Sequence, residues 1–309
     1  MQWSRFMVAV SLAVVGGCRP AAEPTSQSQT SRSASPTDPP QPGRSAAPTD
    51  DLAAARSGFV TKLRVRGAAP QPYQNAKPPA GVKEVEYKSG DLKLKGWLSS
   101  SVADGKKRPA VVFLHGGWAF GDGDWEDAEP FAKAGFILFM PMLRAENGNP
   151  GNYESFLGEV DDAIAAGRFV SSLPGVDRDN VFVAGHSVGG VLTCLVSMLP
   201  SPYKAAAALD GYVDMASWAA SSPEAHVPYD RNNSTEVRVR NPMAFAGSIR
   251  CPLRLYAGEN GREVNAPLAA AARRAGKDCE LVVVRGDHQA MVAPAVQQAI
   301  GWFRQLGAK

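Results

Sequence analysis

The sequence predicts an α/β domain: a mostly parallel sheet with an antiparallel hairpin at its N-terminal end, helices on both faces and a small cap insertion. Three observations predict it. Six runs are apolar throughout, "AVVFLH" (110–115), "FILFMP" (136–141), "VFVAG" (181–185), "AAAALD" (205–210), "LRLYAG" (253–258) and "ELVVV" (280–284), as strands buried on both faces are. Stretches with helical spacing lie between them. Ahead of them "KEVEYKS" (83–89) and "LKLKGWLSS" (92–100) alternate like half-buried strands around a "GD" turn.

From the N-terminus, "MQWSRFMVAVSLAVVGGC" carries Arg5, an apolar stretch from Phe6 to Val15, and small residues ending at Cys18. The stretch is too short to span a membrane, which takes ~20 apolar residues, and has the form of a signal-peptide h-region. "VGGC" resembles the lipobox of bacterial lipoproteins. That resemblance implies a signal peptide over 1–18, lipidation of Cys18 as the first mature residue, and attachment to a membrane of the cell envelope through a lipid anchor. Arg19 stands where such lipoproteins carry an aspartate when retained at the inner membrane, so the outer membrane is slightly favoured.

Residues 19–57 are rich in Pro, Ser, Thr and Ala with almost no large apolar side chain. Such a segment buries too little surface to offset its ordering entropy and is expected to be a disordered tether. The globular domain is expected over 58–309. Its helices are read at 124–135 and 266–276, each ending on a glycine, and at 153–175, with Phe156, Val160, Ile164 and Phe169 on one face. Segment 211–250 has no strand pattern and interrupts the alternation, as a cap over the ligand-binding edge of the sheet would.

The 309 residues are 44% hydrophobic and 20% charged, with a net charge of +3. Lys and Arg are scattered, so no nucleic-acid partner is expected. The four cysteines, at 18, 194, 251 and 279, form no CxxC pair. Cys251 and Cys279 each precede a predicted strand and could pair in an oxidising compartment, but a buried free thiol is the expected state of each. No HExxH or paired-histidine spacing is present, so neither a metal nor another cofactor is expected.

Gly185-His186-Ser187-Val188-Gly189 fills a G-x-S-x-G pattern between the buried strand "VFVAG" and the helical "VLTCLVSML". Strand, turn and helix in that order are what a nucleophile elbow requires, because the glycines let the strained turn approach its neighbours while the hydroxyl projects above the sheet. Ser187 is therefore the candidate nucleophile. A serine hydroxyl needs a base, and His288 in "VVVRGDHQAM" is the one histidine of four in a loop at the C-terminal end of a predicted strand with a helix following. "LHGGWAFGDGD" (114–124) follows the third predicted strand and can offer oxyanion donors; it is no phosphate loop, lacking both GxGxxG and a Walker lysine.

With these motifs in order, residues from about 81 to 306 resemble the α/β-hydrolase superfamily, in its prolyl oligopeptidase-like and dienelactone hydrolase-like branch. "HGGW", "PMLRAENGNPG", "LPGVDRDNVFVAGHSVGG" and "GDH" carry the similarity. It implies an α/β-hydrolase fold and an oxyanion hole made by the N–H of Val188 with that of Gly117 or Trp118. In that branch the acid follows the seventh strand as G-x-x-D, whereas "YAGENGREV" places Gly261 there. Three carboxylates are candidates: Glu259 and Glu263 flank Gly261, and Asp210 ends the sixth strand, which resembles an alternative acid position in some α/β-hydrolases. Glu259 is the first choice and Asp210 the second.

These residues predict a serine hydrolase that cleaves an ester or a peptide-type amide through an acyl-enzyme on Ser187, with a small ester or peptide as substrate. The resemblance suggests peptides; the large N-terminal propeller that restricts access in prolyl oligopeptidases is not seen in the sequence, which leaves an esterase at least as well supported. The alternative is a non-catalytic hydrolase-fold binding protein with a degenerate triad, against which stand Ser187, His288 and the double-glycine loop.

Overall fold

The alternation of side chains along a strand decides how the core divides. In the computed structural model, which describes residues 50–73, 75–99 and 105–308, strand β3 (Arg108–Leu114) sends Ala110, Val112 and Leu114 into one apolar layer and Val111 and Phe113 into the other. Strand β5 (Val176–His186) splits likewise, with Val181 and Val183 in the first layer and Phe182 and Ala184 in the second. Strands buried on both faces need helices on both faces. Helices α2 (Asp122–Lys133) and α8 (Val292–Gly307) cover the second layer, where the Phe303 ring stacks on Phe182 at 4.4 Å. Helices α3 (Gly158–Ser172), α4 (Val188–Ser197) and α7 (Arg262–Arg274) cover the first.

The remaining strands are β1 (Val82–Ser89), β2 (Leu92–Ser99), β4 (Ile137–Pro141), β6 (Ala205–Leu209), β7 (Leu253–Ala257) and β8 (Cys279–Val283). The eight form one sheet in the order β1-β2-β4-β3-β5-β6-β7-β8. The hairpin β1–β2 and the β2–β4 pair are antiparallel and every other neighbour is parallel. This is the α/β-hydrolase architecture expected from the sequence. Its register positions the site: Leu114 pairs with Gly185, His186 with Leu209, Leu209 with Tyr256, and Ala257 with Val283. The residues that follow each strand, 115–118, 187, 210, 258–261 and 284–288, therefore emerge side by side at the C-terminal edge, where open parallel sheets bind ligands.

Several boundaries differ from the sequence reading: the strand read at 181–185 starts at Val176, and the helices read at 124–135 and 266–276 are Asp122–Lys133 and Arg262–Arg274. Two further differences have a visible physical cause. The expected tether does not extend to residue 57, because Leu52–Arg56 forms a short helix, α1, on the domain. Asp51 caps it by accepting from the Ala54 N–H, Leu52 is fully buried with its N–H on Ser248 Oγ at 2.9 Å, and Arg56 pairs with Asp161 at 2.9 Å. One buried leucine and three specific contacts order a segment whose composition alone predicts none. The helix expected over 153–175 begins at Gly158, because Ser155 and Phe156 take φ of 53° and 68° and Glu159 folds back to accept from the N–H groups of Glu154 and Leu157. Segment 211–250 holds two short helices, α5 (Met215–Ser221) and α6 (Ser234–Arg238), and two 3-10 turns.

Cys194, Cys251 and Cys279 are all free. The signal-peptide reading of 1–18, Cys18 with it, and the tether up to residue 49 lie outside the described residues. Among the described residues no helix is long and apolar enough to cross a membrane.

Candidate active site

Ser187 is built by close backbone packing. A Cβ on Gly185 would stand 2.4 Å from the Gly189 carbonyl oxygen, and one on Gly189 would stand 2.0 Å from that of Leu114, so only glycines let α4 start this close to β5 and β3. The turn forces Ser187 to φ 55° and ψ −113°, a strained conformation for a residue with a Cβ. Its N–H is held by the Leu209 carbonyl at 2.9 Å, while its hydroxyl makes no hydrogen bond among the described residues.

His288 lies in the loop between β8 and α8, its side chain 44% exposed. Its Nδ1 donates to Asp210 Oδ2 at 2.7 Å. Asp210, next after β6, is only 7% exposed in its side chain, and its Oδ1 accepts from the Gly258 N–H at 3.1 Å. The first-choice acid, Glu259, does not take this place. It is exposed, and its carboxylate and N–H both engage the main chain of Gly286, at 3.4 and 2.9 Å, two residues short of the imidazole. Glu263 is exposed in the first turn of α7. The physical reason lies at Gly261, where an added Cβ would fall 1.7 Å from Asp210 Oδ1. The carboxylate arriving from β6 fills the space a side chain at 261 would need.

The loop after β3 is braced from several sides. Gly117 takes φ 67°, a left-handed conformation suited to glycine, and the Trp118 N–H donates to Gln71 Oε1 at 2.9 Å. Trp118 is thus committed, whereas the N–H groups of Gly117 and Val188 have no acceptor among the described residues. Of the two alternatives read from the sequence, Gly117 is the one left open. Asn147 both donates to and accepts from the Phe120 backbone at 2.9 Å, and Asp124 accepts from the N–H groups of Gly116 and Gly121. Behind the loop, His115 and Glu146 form a buried pair at 3.0 Å, each 2% exposed. Burial alone would lower the His115 pKa, but the charge and hydrogen bond of Glu146 outweigh it and lift it to about 9. The Trp118 indole is buried against Tyr153, Phe156 and Trp218, at ring distances of 4.9, 5.0 and 6.2 Å, which ties the loop to segment 211–250.

The site also holds residues that the sequence reading passed over. His186 is buried, packs its ring at a tilt against that of His288, and carries a pKa held down to about 4 by burial and by the His288 charge. Its place inside the G-x-S-x-G pattern was the available signal. Glu146 and Asn147 lie in the "PMLRAENGNPG" stretch that carries the resemblance, which marked the stretch but not their roles, and Gln71 had no signal, because it acts through a contact distant in sequence. Among the described residues no group of three or more His, Cys, Asp or Glu side chains is arranged to hold a metal.

Known proteins resemble the chain in sequence and in fold. Residues 126–306 match the model of the prolyl oligopeptidase family, a stretch that includes Ser187, Asp210 and His288. The uncharacterized peptidase YtmA of Bacillus subtilis is 32% identical over 114 residues, 36% of this chain and 44% of that protein. Among solved structures, a puromycin-hydrolyzing peptidase of Mycobacterium tuberculosis superposes with a TM-score of 0.63 at 18% identity, covering 75% of this chain and 41% of that one. The acylaminoacyl peptidase of Pyrococcus horikoshii gives 0.58 at 19% identity, covering 74% of this chain and 40% of that one. An esterase of Pyrobaculum calidifontis gives 0.58 at 18% identity, covering 75% of this chain and 87% of that one. The chain spans less than half the length of the Bacillus relative and of both peptidase structures; at these identities the solved structures share its fold.

Proposed function

The chain belongs to the prolyl oligopeptidase family and is a hydrolase at that level, and from this premise we propose that it cleaves an ester or a peptide-type amide through an acyl-enzyme on Ser187. The observation that carries the reading is the 2.7 Å hydrogen bond from His288 Nδ1 to Asp210, at the same sheet edge as the strained elbow of Ser187. With Nδ1 donating to the carboxylate, the neutral ring leaves Nε2 bare to accept a proton.

His288 Nε2 takes the proton of the Ser187 hydroxyl as Oγ forms a bond to the substrate carbonyl carbon. The carbonyl electron pair moves to oxygen, where the N–H groups of Gly117 and Val188 receive the negative charge. Collapse of this intermediate breaks the bond to the leaving alcohol or amine, which departs with the proton from His288. Water then enters by the same route in reverse and releases the acid. Asp210 holds the imidazole in its Nδ1–H tautomer and stabilises the imidazolium formed in each half. The binder alternative drew on a missing acid, and the hydrogen bond between Asp210 and His288 supports a complete triad instead.

A fluorophosphonate probe should label the parent chain at Ser187 and leave Ser187→Ala unlabelled. Ser187→Ala and His288→Ala should each lower kcat on the order of 10⁶-fold without adding to one another. Full activity in either variant rejects the mechanism, and a panel of acyl esters against peptide anilides separates esterase from peptidase. The sequence of residues 1–18 further supports a lipid anchor on Cys18 in the cell envelope. Mass spectrometry of the mature protein should find diacylglyceryl on Cys18, and an unmodified N-terminus elsewhere rejects it.

A further inference from the structure

His186 precedes the proposed nucleophile and ends β5, yet its ring reaches the loop of the proposed base. It is 6% exposed, and its Nε2 lies 3.0 Å from the backbone carbonyl oxygen of His288. A carbonyl oxygen only accepts, so Nε2 carries the proton and Nδ1 is bare in the neutral ring. The rings of His186 and His288 are in tilted contact, with centroids 4.6 Å apart at 39°. His288 needs such help because its loop is otherwise held through neighbours. Gly286 is tied to Glu259, and Asp287 accepts from the N–H groups of Gln289 and Ala290. At residue 288 itself, among the described residues, the hydrogen bonds are two, Asp210 on the ring and His186 on the carbonyl.

We propose that His186 is a positioning residue for catalysis, which acts through His288 by gripping its main chain with the Nε2–H and supporting its ring by a tilted ring contact. The inference rests on the reading of His288 as the base. Neutrality is part of the device, since a protonated His186 would oppose the imidazolium that His288 becomes in each half-reaction. Burial and the charge of His288 keep His186 neutral down to about pH 4. The titratable groups facing it are His288, from the loop after β8, and Asp210, from the end of β6; the glycine of the β3 loop beside its Nδ1, Gly116, carries no charge.

Two variants separate the interactions. His186→Phe keeps a ring against that of His288 and loses the donor, whereas His186→Gln sets an amide nitrogen at the same number of bonds from Cα as Nε2. In p-nitrophenyl butyrate hydrolysis by the full chain, His186→Phe should lose about 10- to 100-fold in kcat, since ~1 Å of misplacement costs on that order. KM should stay near that of the parent, and His186→Gln should recover most of the loss. Equal losses in the two variants, or parental kcat in His186→Phe, overturn the proposal. A measurement on the parent chain is independent of how the variants fold: long-range proton–nitrogen spectra of histidine-labelled protein should find His186 neutral at pH 6 in the Nε2–H tautomer, and a charged or Nδ1–H ring overturns the proposal equally. A parent chain with neither turnover nor labelling at Ser187 overturns the hydrolase reading itself, so the two failures are distinct.

Discussion

Substituting Gly261 by alanine should silence the enzyme while leaving its fold intact. The new methyl carbon would sit 1.7 Å from Asp210 Oδ1, where ordinary contact begins near 3.4 Å, so the carboxylate must withdraw by roughly as much again. Its Oδ1 bond to the Gly258 N–H is 3.1 Å and its Oδ2 bond to His288 Nδ1 is 2.7 Å, and neither survives a shift of that size. The loss is bounded below by the effect of ~1 Å of misplacement, about 10²-fold, and above by loss of the triad acid, about 10⁴-fold. In activation free energy that is about 3 to 5 kcal/mol at ~1.36 kcal/mol per tenfold. Stability should fall only modestly, by about 1–3 kcal/mol, because a carboxylate 7% exposed loses both of its partners; Gly261 has φ −80° and ψ −15°, open to any residue, and the smaller unfolded-state entropy of alanine returns about 0.4–1 kcal/mol of that. The assay is kcat for a p-nitrophenyl ester beside a thermal melt, repeated in an Asp210→Ala background, where Gly261→Ala should cost nothing further. Parental kcat in Gly261→Ala, or a full additional loss in the Asp210→Ala background, refutes the account of Gly261 as room kept for the acid.

Further predictions follow from single contacts. Asp210→Asn should lower kcat by about 10⁴-fold, while Glu259→Gln should change it little; the opposite ranking would return the acid to the loop after β7. The buried His115–Glu146 pair makes stability fall with rising pH: the His115 pKa is about 9 in the fold against an ordinary 6.5, so its contribution is complete below pH 6.5 and lost as pH climbs through about 9. Urea midpoints of His115→Asn should be lower than the parent's at pH 6 and flatter between pH 6 and 9.5, and parallel curves contradict the assignment. Leu52→Ala, which empties a fully buried site on α1, should cost about 2–5 kcal/mol in urea unfolding with kcat unchanged, whereas unaltered stability would mean that α1 is not docked in solution.

What was legible in the sequence is what local order encodes. Continuous apolar runs specify strands buried on both faces, and the strand–Gly-x-Ser-x-Gly–helix string specifies the elbow, because all its steric demands fall on neighbours within a few residues. His288 could be chosen because chain order and its place after a strand single it out. The choice of acid could not be made that way. Glu259 lies in the expected loop, but loop membership does not say which carboxylate reaches the imidazole; the parallel register of β6 with β7 does, bringing Asp210 to the Gly258 N–H and His288. The oxyanion donor was undecided for the same reason, since Trp118 is occupied by Gln71, 47 positions earlier in the chain. Leu52 shows the limit from the other side: in a segment of disordered composition, one apolar side chain with a buried place to go, together with the Asp51 cap and the contacts to Ser248 and Asp161, orders a turn of helix. Periodicity and motif report constraints between neighbours along the chain. Which of several chemically equivalent groups meets a partner is decided by strand register and by which side chain fills a space first, and those exist only once the sheet has formed.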